Sequence, residues 1–284
     1  EPVSNQDVGS VQSIAGMLAV ENVPMVGIAG APLAPLTVLA TTHNLSLMEH
    51  FTHVAYLSNG RVVESGKKEE VMARKGHVYR RIHSQAGLYI DRRGQAVVTV
   101  ERLRQIWLFH AVESDESLKA LKNCFVTRTV HAGEQLFKEG QDADSMYLVV
   151  AGQIEMKKVI SQEDGNQRTI RTVWQAGDEI GVDAVVDKKM RWPGTGTVAS
   201  NKATLLELAQ DDMEELIMDG SPNRDECLAE SVGETIEQLH RMRSPQRLQQ
   251  LWFLYGAPIE DIEAVGDTLE PNVYDEGAVL CDLP

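Results

Sequence analysis

Residues 108–158 read LFHAVESDESLKALKNCFVTRTVHAGEQLFKEGQDADSMYLVVAGQIEMKK. The stretch predicts a helix around 115–123, then short β-type runs at 127–130, 146–150 and 154–159, with Gly133, Gly140 and Gly152 at the turns. Further runs follow at 169–173, 195–199 and 203–208, with Gly177 at another turn. Many short strands at close spacing predict a small barrel or sandwich.

On either side the pattern turns helical. A helix is expected over 101–107, and another over 225–243, where Leu228, Val232, Ile236, Leu239 and Met242 line one face. That stripe suits either pairing with another chain or packing on its own roll. Ser244-Pro245 stops the helix, because proline lacks the amide proton and fits the first turn of the next one, expected over 247–255. The chain also repeats itself. Leu118, Leu121, Phe125, Val130, Gly133 and Leu136 correspond, 144 positions later, to Ile262, Val265, Leu269, Tyr274, Gly277 and Leu280. A second roll is therefore expected to begin near residue 251.

The first third alternates strands and helices, the mark of an α/β layer. Buried parallel strands are expected at 26–29 and 37–41, and a helix at 45–51. Then come strands at 54–57 and 61–64 around an Asn59-Gly60 turn, and a helix at 69–74. Residues 84–100 look like a connector with a hairpin, 88–90 and 96–100 flanking Arg93-Gly94.

The 284 residues carry 27 Lys+Arg and 42 Asp+Glu, a net charge of −15. The imbalance is concentrated: residues 1–105 hold 11 basic and 9 acidic side chains, and residues 106–284 hold 16 and 33. Such an acidic surface repels phosphates and argues against nucleic acid as a partner. Cys124, Cys227 and Cys281 are scattered and fit neither a disulfide framework nor a zinc site, so a reducing, intracellular compartment is expected. Residues 22–48 contain no formal charge, but Pro24, Pro32, Pro35, Gly27 and Gly30 would repeatedly break a membrane-spanning helix. Asp211, Asp212, Glu214 and Glu215 are read as acids favourably placed at a helix N-terminus rather than as a cation site.

The segment over about 101–245 resembles a cyclic nucleotide-binding domain, the β-roll of catabolite-activator-type regulators, kinase regulatory subunits and gated channels. In that family a Gly-Glu pair, a turn of small residues and an Arg hold the ribose and the cyclic phosphate, a backbone nest completed by a guanidinium. The resemblance places Gly181, Val182, Ala184, Arg191, Gly194 and Thr195 in this pocket. Val182 stands at the ribose-binding Glu position and Gly194 at the Arg position, so both charged anchors are replaced; Arg191, three residues earlier, is the nearest substitute guanidinium.

Residues 37–82, TVLATTHNLSLMEHFTHVAYLSNGRVVESGKKEEVMARKGHVYRRI, resemble the last third of an ATP-binding cassette (ABC) transporter nucleotide-binding domain, in which the histidine matched by His43 contacts the γ-phosphate. Phosphoryl transfer also needs a glycine-rich loop with Lys and a metal-binding carboxylate. The chain has no GxxxxGK[ST], and Gly30 and Ala31 stand where the resemblance expects the Walker B Asp and catalytic Glu.

The expected fold is α+β and multidomain: a cassette remnant over 1–83, a linker over 84–100, a β-roll with flanking helices over 101–245, and an incomplete second roll over 246–284. The expected function is that of a non-catalytic binding or scaffold subunit, without cofactor, that works with other protein subunits. It has no membrane span of its own, though it is compatible with attachment to a membrane complex. The alternatives are a cyclic-nucleotide-regulated ABC transporter segment, with ATP-Mg²⁺ or a cyclic nucleotide as ligand, and an ATPase whose motifs lie elsewhere.

Overall fold

The computed structural model describes residues 39–41, 45, 48, 51–58, 60–161, 167–251, 253–269 and 271. The chain divides into two compact units between His83 and Ser84, and the second runs Ser84–Tyr274.

In the first unit, strands β1 (His53–Ser58) and β2 (Arg61–Lys67) form an antiparallel hairpin, followed by helices α1 (Lys68–Ala73) and α2 (His77–Gln85), the latter running on into the second unit. Gly60 takes φ +73° at the turn, where side chains are disfavoured. The Glu64 carboxylate accepts from the Val78 amide at 2.9 Å, satisfying one of the free N–H groups at the start of α2. Three expectations are corrected here. Strand 61–64 extends to Lys67, because Glu64, Ser65, Gly66 and Lys67 all pair with β1. Of the strand expected at 37–41, the described residues 39–41 form no strand and Leu39 is 94% exposed. Residues 84 and 85, expected in the connector, belong to helix α2. The strand at 26–29, most of the helix at 45–51, His43, Gly30 and Ala31 lie outside the described residues.

The second unit opens with hairpin β3 (Leu88–Ile90) and β4 (Ala96–Val98), whose turn is held by Asp91 Oδ1 accepting from the Arg93 and Gln95 amides at 2.8 and 2.9 Å. This is no loose linker: Ala96 and Val98 are buried in the core. Val100 leaves the strand because Thr99 caps helix α3 (Val100–Leu103), its hydroxyl accepting from the Arg102 amide at 3.3 Å. The helix expected to reach Trp107 stops at Leu103 and continues as turns. Helix α4 (Asp115–Cys124), capped by Ser114, then buries Leu118 and Leu121.

The roll follows as β5 (Val126–His131), β6 (Gln135–Phe137), β7 (Ser145–Ala151), β8 (Gln153–Ser161), β9 (Gln167–Gln175), β10 (Glu179–Ile180), β11 (Thr195–Val198) and β12 (Lys202–Ala209). They form two antiparallel four-stranded sheets, β10-β7-β12-β5 and β6-β11-β8-β9. The short β6 and β10 escape the sequence pattern, being three and two residues long. Because strand side chains alternate, Tyr147, Val149, Ala203 and Leu205 point into the roll and pack with Phe137, Ile154 and Val198 of the facing sheet. On the other side of the first sheet, Met146, Leu148, Leu206 and Leu208 pack against the helices. Burial on both faces explains the nearly unbroken apolar runs of β7 and β12. Gly152 needs its φ of +87°, and a Cβ there would come within 2.7 Å of Ala203 Cα.

Helix α5 (Gln210–Ile217) carries Asp211 and Asp212 in its first turn, and Glu214 pairs with Lys188, so these acids act within the fold. Helix α6 (Glu226–Arg243) is capped by Asp225, and its Leu228, Val232 and Ile236 pack on the roll's own core, while Met242 near its end is 60% exposed. The helix expected over 247–255 is a single turn, α7 (Pro245–Leu248), followed by further turns. Helix α8 (Ile259–Thr268) stands 144 positions after α4 at both ends, with Ile262 as fully buried as Leu118. The strand equivalents from Tyr274 onward, and Cys281, lie outside the described residues.

Candidate functional site

Of the six pocket positions predicted from sequence, five lie on the connection between β10 and β11 and Thr195 opens β11. Gly181 takes φ +67° after β10 and opens a 3₁₀ turn over Val182–Val185. The Trp192 ring lies against it, so that a Cβ at 181 would sit 2.5 Å from Cη2. Val182 and Val185 turn into the core beneath the helices, and Ala184 turns into the roll core with no exposed surface. The position where the family places a ribose-binding carboxylate is thus an ordinary apolar core position.

Gly194 is seated directly on β8. A Cβ there would meet the Lys157 carbonyl oxygen at 2.8 Å and Met156 Cγ at 2.9 Å, which leaves no room for the base of an arginine side chain. Thr195 pairs with Lys157 in the β11–β8 register, and its hydroxyl accepts from the Glu139 amide at 3.2 Å. Arg191 points elsewhere: its Nη1 donates to the Gly140 carbonyl at 3.1 Å and its Nη2 lies 3.1 Å from Asp142 Oδ1. Backbone bonds Gly140 N–H to Trp192 O, Trp192 N–H to Gln141 O and Ala143 N–H to Met190 O, each 2.9 Å, fix this segment against the 140–143 loop.

The space left inside is filled by aromatic rings. Trp192 stacks on Phe137 with centroids 3.9 Å apart and planes 14° from parallel, and Tyr147 lies 6.4 Å beyond. Trp192, Phe137 and Tyr147 are each no more than 5% exposed. A pocket lies beside this stack. It is a cavity of about 530 Å³ lined by Arg128, Phe137, Gln141, Asp142, Asp144, Ser145, Tyr147, Arg191, Trp192 and Glu207, with Leu136 and Gly140. Of the six predicted positions only Arg191 lines it. Arg128, Tyr147 and Glu207 were missed because they sit on three different strands and are brought together only by the sheet.

Both guanidiniums of the cavity are already paired with carboxylates. Arg128 Nη1 lies 3.1 Å from Glu207 Oε1 and 3.4 Å from the Tyr147 hydroxyl, with the guanidinium carbon 5.8 Å from the Tyr147 ring centroid. Burial, reinforced by the neighbouring Glu207 carboxylate and opposed by Arg128, pushes the Tyr147 phenol up to about 12. Among the described residues no buried side-chain polar atom lacks a partner, no group of three His, Cys, Asp or Glu residues could hold a metal ion, and no helix is long and apolar enough to cross a membrane.

Residues 127–219 match the family model described as the cyclic nucleotide-binding domain. The chain therefore carries a domain of that kind, as the turn and strand order of the roll led one to expect. Among solved structures, the N-terminal domain of a transcriptional regulator from Streptomyces coelicolor A3(2) is 24% identical, with 49% of this chain and 91% of that one covered and a TM-score of 0.39. The regulatory domain of Toxoplasma gondii PKA, solved with cAMP, is 23% identical over 58% of this chain and 54% of that one, with a TM-score of 0.38. The Thermus thermophilus catabolite activator protein is 19% identical over 57% and 80%, with a TM-score of 0.34. No curated protein matches the chain.

Proposed function

We propose that this chain is a non-catalytic regulatory and binding subunit whose cyclic nucleotide-binding domain does not hold cAMP or cGMP through the family's contacts. The observation that carries this reading is the seating of Gly194 on Met156 and Lys157 beside a Trp192 that covers Gly181. An anionic ligand there would meet an apolar core instead of a carboxylate and an arginine, inside a half-chain already rich in carboxylates. On the same reading the segment before residue 84 descends from an ABC cassette without hydrolysing ATP, α8 opens a second roll, and the working partners are other protein subunits of an intracellular assembly that itself requires no nucleic acid.

One observation favours a nucleotide sensor instead. Arg243 Nη2 lies 3.6 Å from Asp183 of the 3₁₀ turn, while its Nε donates to the Leu269 carbonyl at 3.2 Å, so the turn and the C-terminal helices share one guanidinium. A thermal-shift titration of the whole chain with cAMP, cGMP and ATP-Mg²⁺ separates the two. The subunit reading expects no rise in Tm with any of them; a rise that saturates with one cyclic nucleotide establishes the sensor, since a ligand at a hundredfold excess over its Kd adds about 2.7 kcal/mol to the folded state.

A further inference from the structure

We infer that the outer edge of β9 takes up an extended acidic segment of a partner protein as an added strand. The inference gives the subunit reading its partner chemistry and rests on that reading, though not on the state of the pocket. Strand β9 ends the β6-β11-β8-β9 sheet, and among the described residues no strand pairs with its far side. It runs against β8 without a bulge from the Gln153–Gln175 pair to the Ser161–Gln167 pair. The phase of that ladder decides which groups the edge presents. The Gln153 carbonyl accepts from the Ala199 amide at 2.9 Å, and the Gln175 amide donates to Asp178 at 2.8 Å, so these two residues exchange no bonds with each other. By alternation Thr169, Arg171 and Val173 turn their N–H and C=O groups away from β8, along the open edge. A long, regular edge of this kind is a template for another strand.

The side chains decide what is added. Val159, Ile170 and Val173 are exposed, so the hairpin carries apolar surface that its own roll does not cover. The two strands hold Lys157, Lys158, Arg168 and Arg171 against Glu155 alone, a basic island in a half-chain of 16 basic and 33 acidic residues; Glu163 and Asp164 of their connection lie outside the described residues. Glu155 is shared, 2.9 Å from Lys157 and 3.7 Å from Arg171, and among the described residues Lys158 and Arg168 pair with no carboxylate. A second copy of the same edge is disfavoured, because it would bring Arg168 and Arg171 of both copies alongside one another. An acidic strand is favoured by the same charges. In antiparallel register it would face Val173, Thr172, Arg171, Ile170, Thr169 and Arg168 in turn. The pattern apolar–polar–acidic, twice over, then sets an apolar residue against Val173 and Ile170 and a carboxylate against each arginine.

The test is fluorescence-anisotropy titration of the whole chain with a labelled peptide carrying Val-Thr-Glu-Val-Thr-Glu, with its Lys-for-Glu counterpart, and with two versions of the acidic peptide N-methylated on one or the other alternate set of residues. The protein variants are Arg171→Glu and Val173→Pro. Because the Val173 amide points off the β8 ladder, proline there removes an edge donor and leaves the ladder's bonds in place; the N-methylated peptides ask the same question of the unaltered protein. The expected result is saturable binding of the acidic peptide, weakened by salt, reduced about tenfold or more by each variant, and lost by at least one N-methylated version, with no binding of the basic peptide. No binding of the acidic peptide, or equal binding of both charges, overturns the proposal. Binding kept in full by both N-methylated versions overturns strand addition. A dimer of the chain alone in sedimentation that Val173→Pro dissolves gives the edge to a second copy and overturns the partner. Peptide binding accompanied by a rise in Tm with a cyclic nucleotide supports the edge and overturns the subunit reading, so the two fail separately.

Discussion

Arg102 Nη2 donates to Glu179 Oε1 at 2.6 Å from a guanidinium side chain that is only 1% exposed. The same Nη2 reaches the Gly177 carbonyl at 2.9 Å, and Nε reaches the Ser84 carbonyl at 2.7 Å. One buried cation thus ties the segment entering the unit, helix α3 and the β9–β10 turn that leads to Gly181. A buried arginine is tolerated because its Nε and Nη2 meet three acceptors, one of them a carboxylate.

Replacing Arg102 with Leu should therefore be costly: two carbonyls and a carboxylate lose their donor together, and leaving buried acceptors unpaired costs about 1–3 kcal/mol each before any rearrangement. We expect Arg102→Leu to lower unfolding stability by roughly 3 kcal/mol, and Glu179→Gln to cost less, since an amide can still accept and Glu179 is 31% exposed. Urea denaturation of both variants checks the order; equal, small losses would show that the guanidinium is not a structural tie.

Asp183 supplies a pH dependence with a definite sign. Burial, the largest influence, holds its carboxyl above the ordinary 3.8 despite the opposing Arg243 and His240, with Asp187 adding to the rise. The folded protein then keeps this proton longer than the unfolded chain does. The stabilising contribution is complete below 3.8 and is lost as pH rises through the raised folded value. Asp183→Asn cannot titrate, so the urea midpoint of wild type should fall relative to that of the variant as pH is taken from about 4 to 7. A gap that stays constant, or moves the other way, would mean that Arg243 dominates burial.

How far the sequence foretells this structure depends on the range over which each feature is decided. Gly133, Gly140, Gly152 and Gly177 all take positive φ at the turns where glycine was expected, because that requirement is local. Helix α4 ends within a residue of its expected bounds for the same reason: its cap and apolar pair lie in one short stretch. Strands β6 and β10 are too short to impose a period, and α7 is cut to one turn by packing that no window of sequence contains. At the site, Val182 and Gly194 were singled out from the sequence, whereas Trp192 was not, since its partners Phe137 and Gly181 lie 55 and 11 positions away and meet it only in the closed roll.

The replaced anchors also predict that the pocket cannot be rebuilt one residue at a time. In an ancestral site Gly194→Arg would restore the guanidinium for a cyclic phosphate. Here the new Cβ would sit 2.8 Å from the Lys157 carbonyl and 2.9 Å from Met156 Cγ, and the former is backbone of a central strand that pairs on both sides. Either β11 detaches locally from β8 or the side chain is forced outward, and overpacking of this kind costs about 1–3 kcal/mol. We expect Gly194→Arg to lose stability by that amount and to gain no affinity for cAMP, with or without Val182→Glu. That second change would place a carboxylate in a core position 9% exposed, an added loss rather than a repair. Denaturation and calorimetric titration of the single and double variants test both halves. A double variant that keeps wild-type stability and binds cAMP would show that the collapse of the cassette onto β8 is reversible, and that the closed pocket is a consequence of the two substitutions rather than of the surrounding packing.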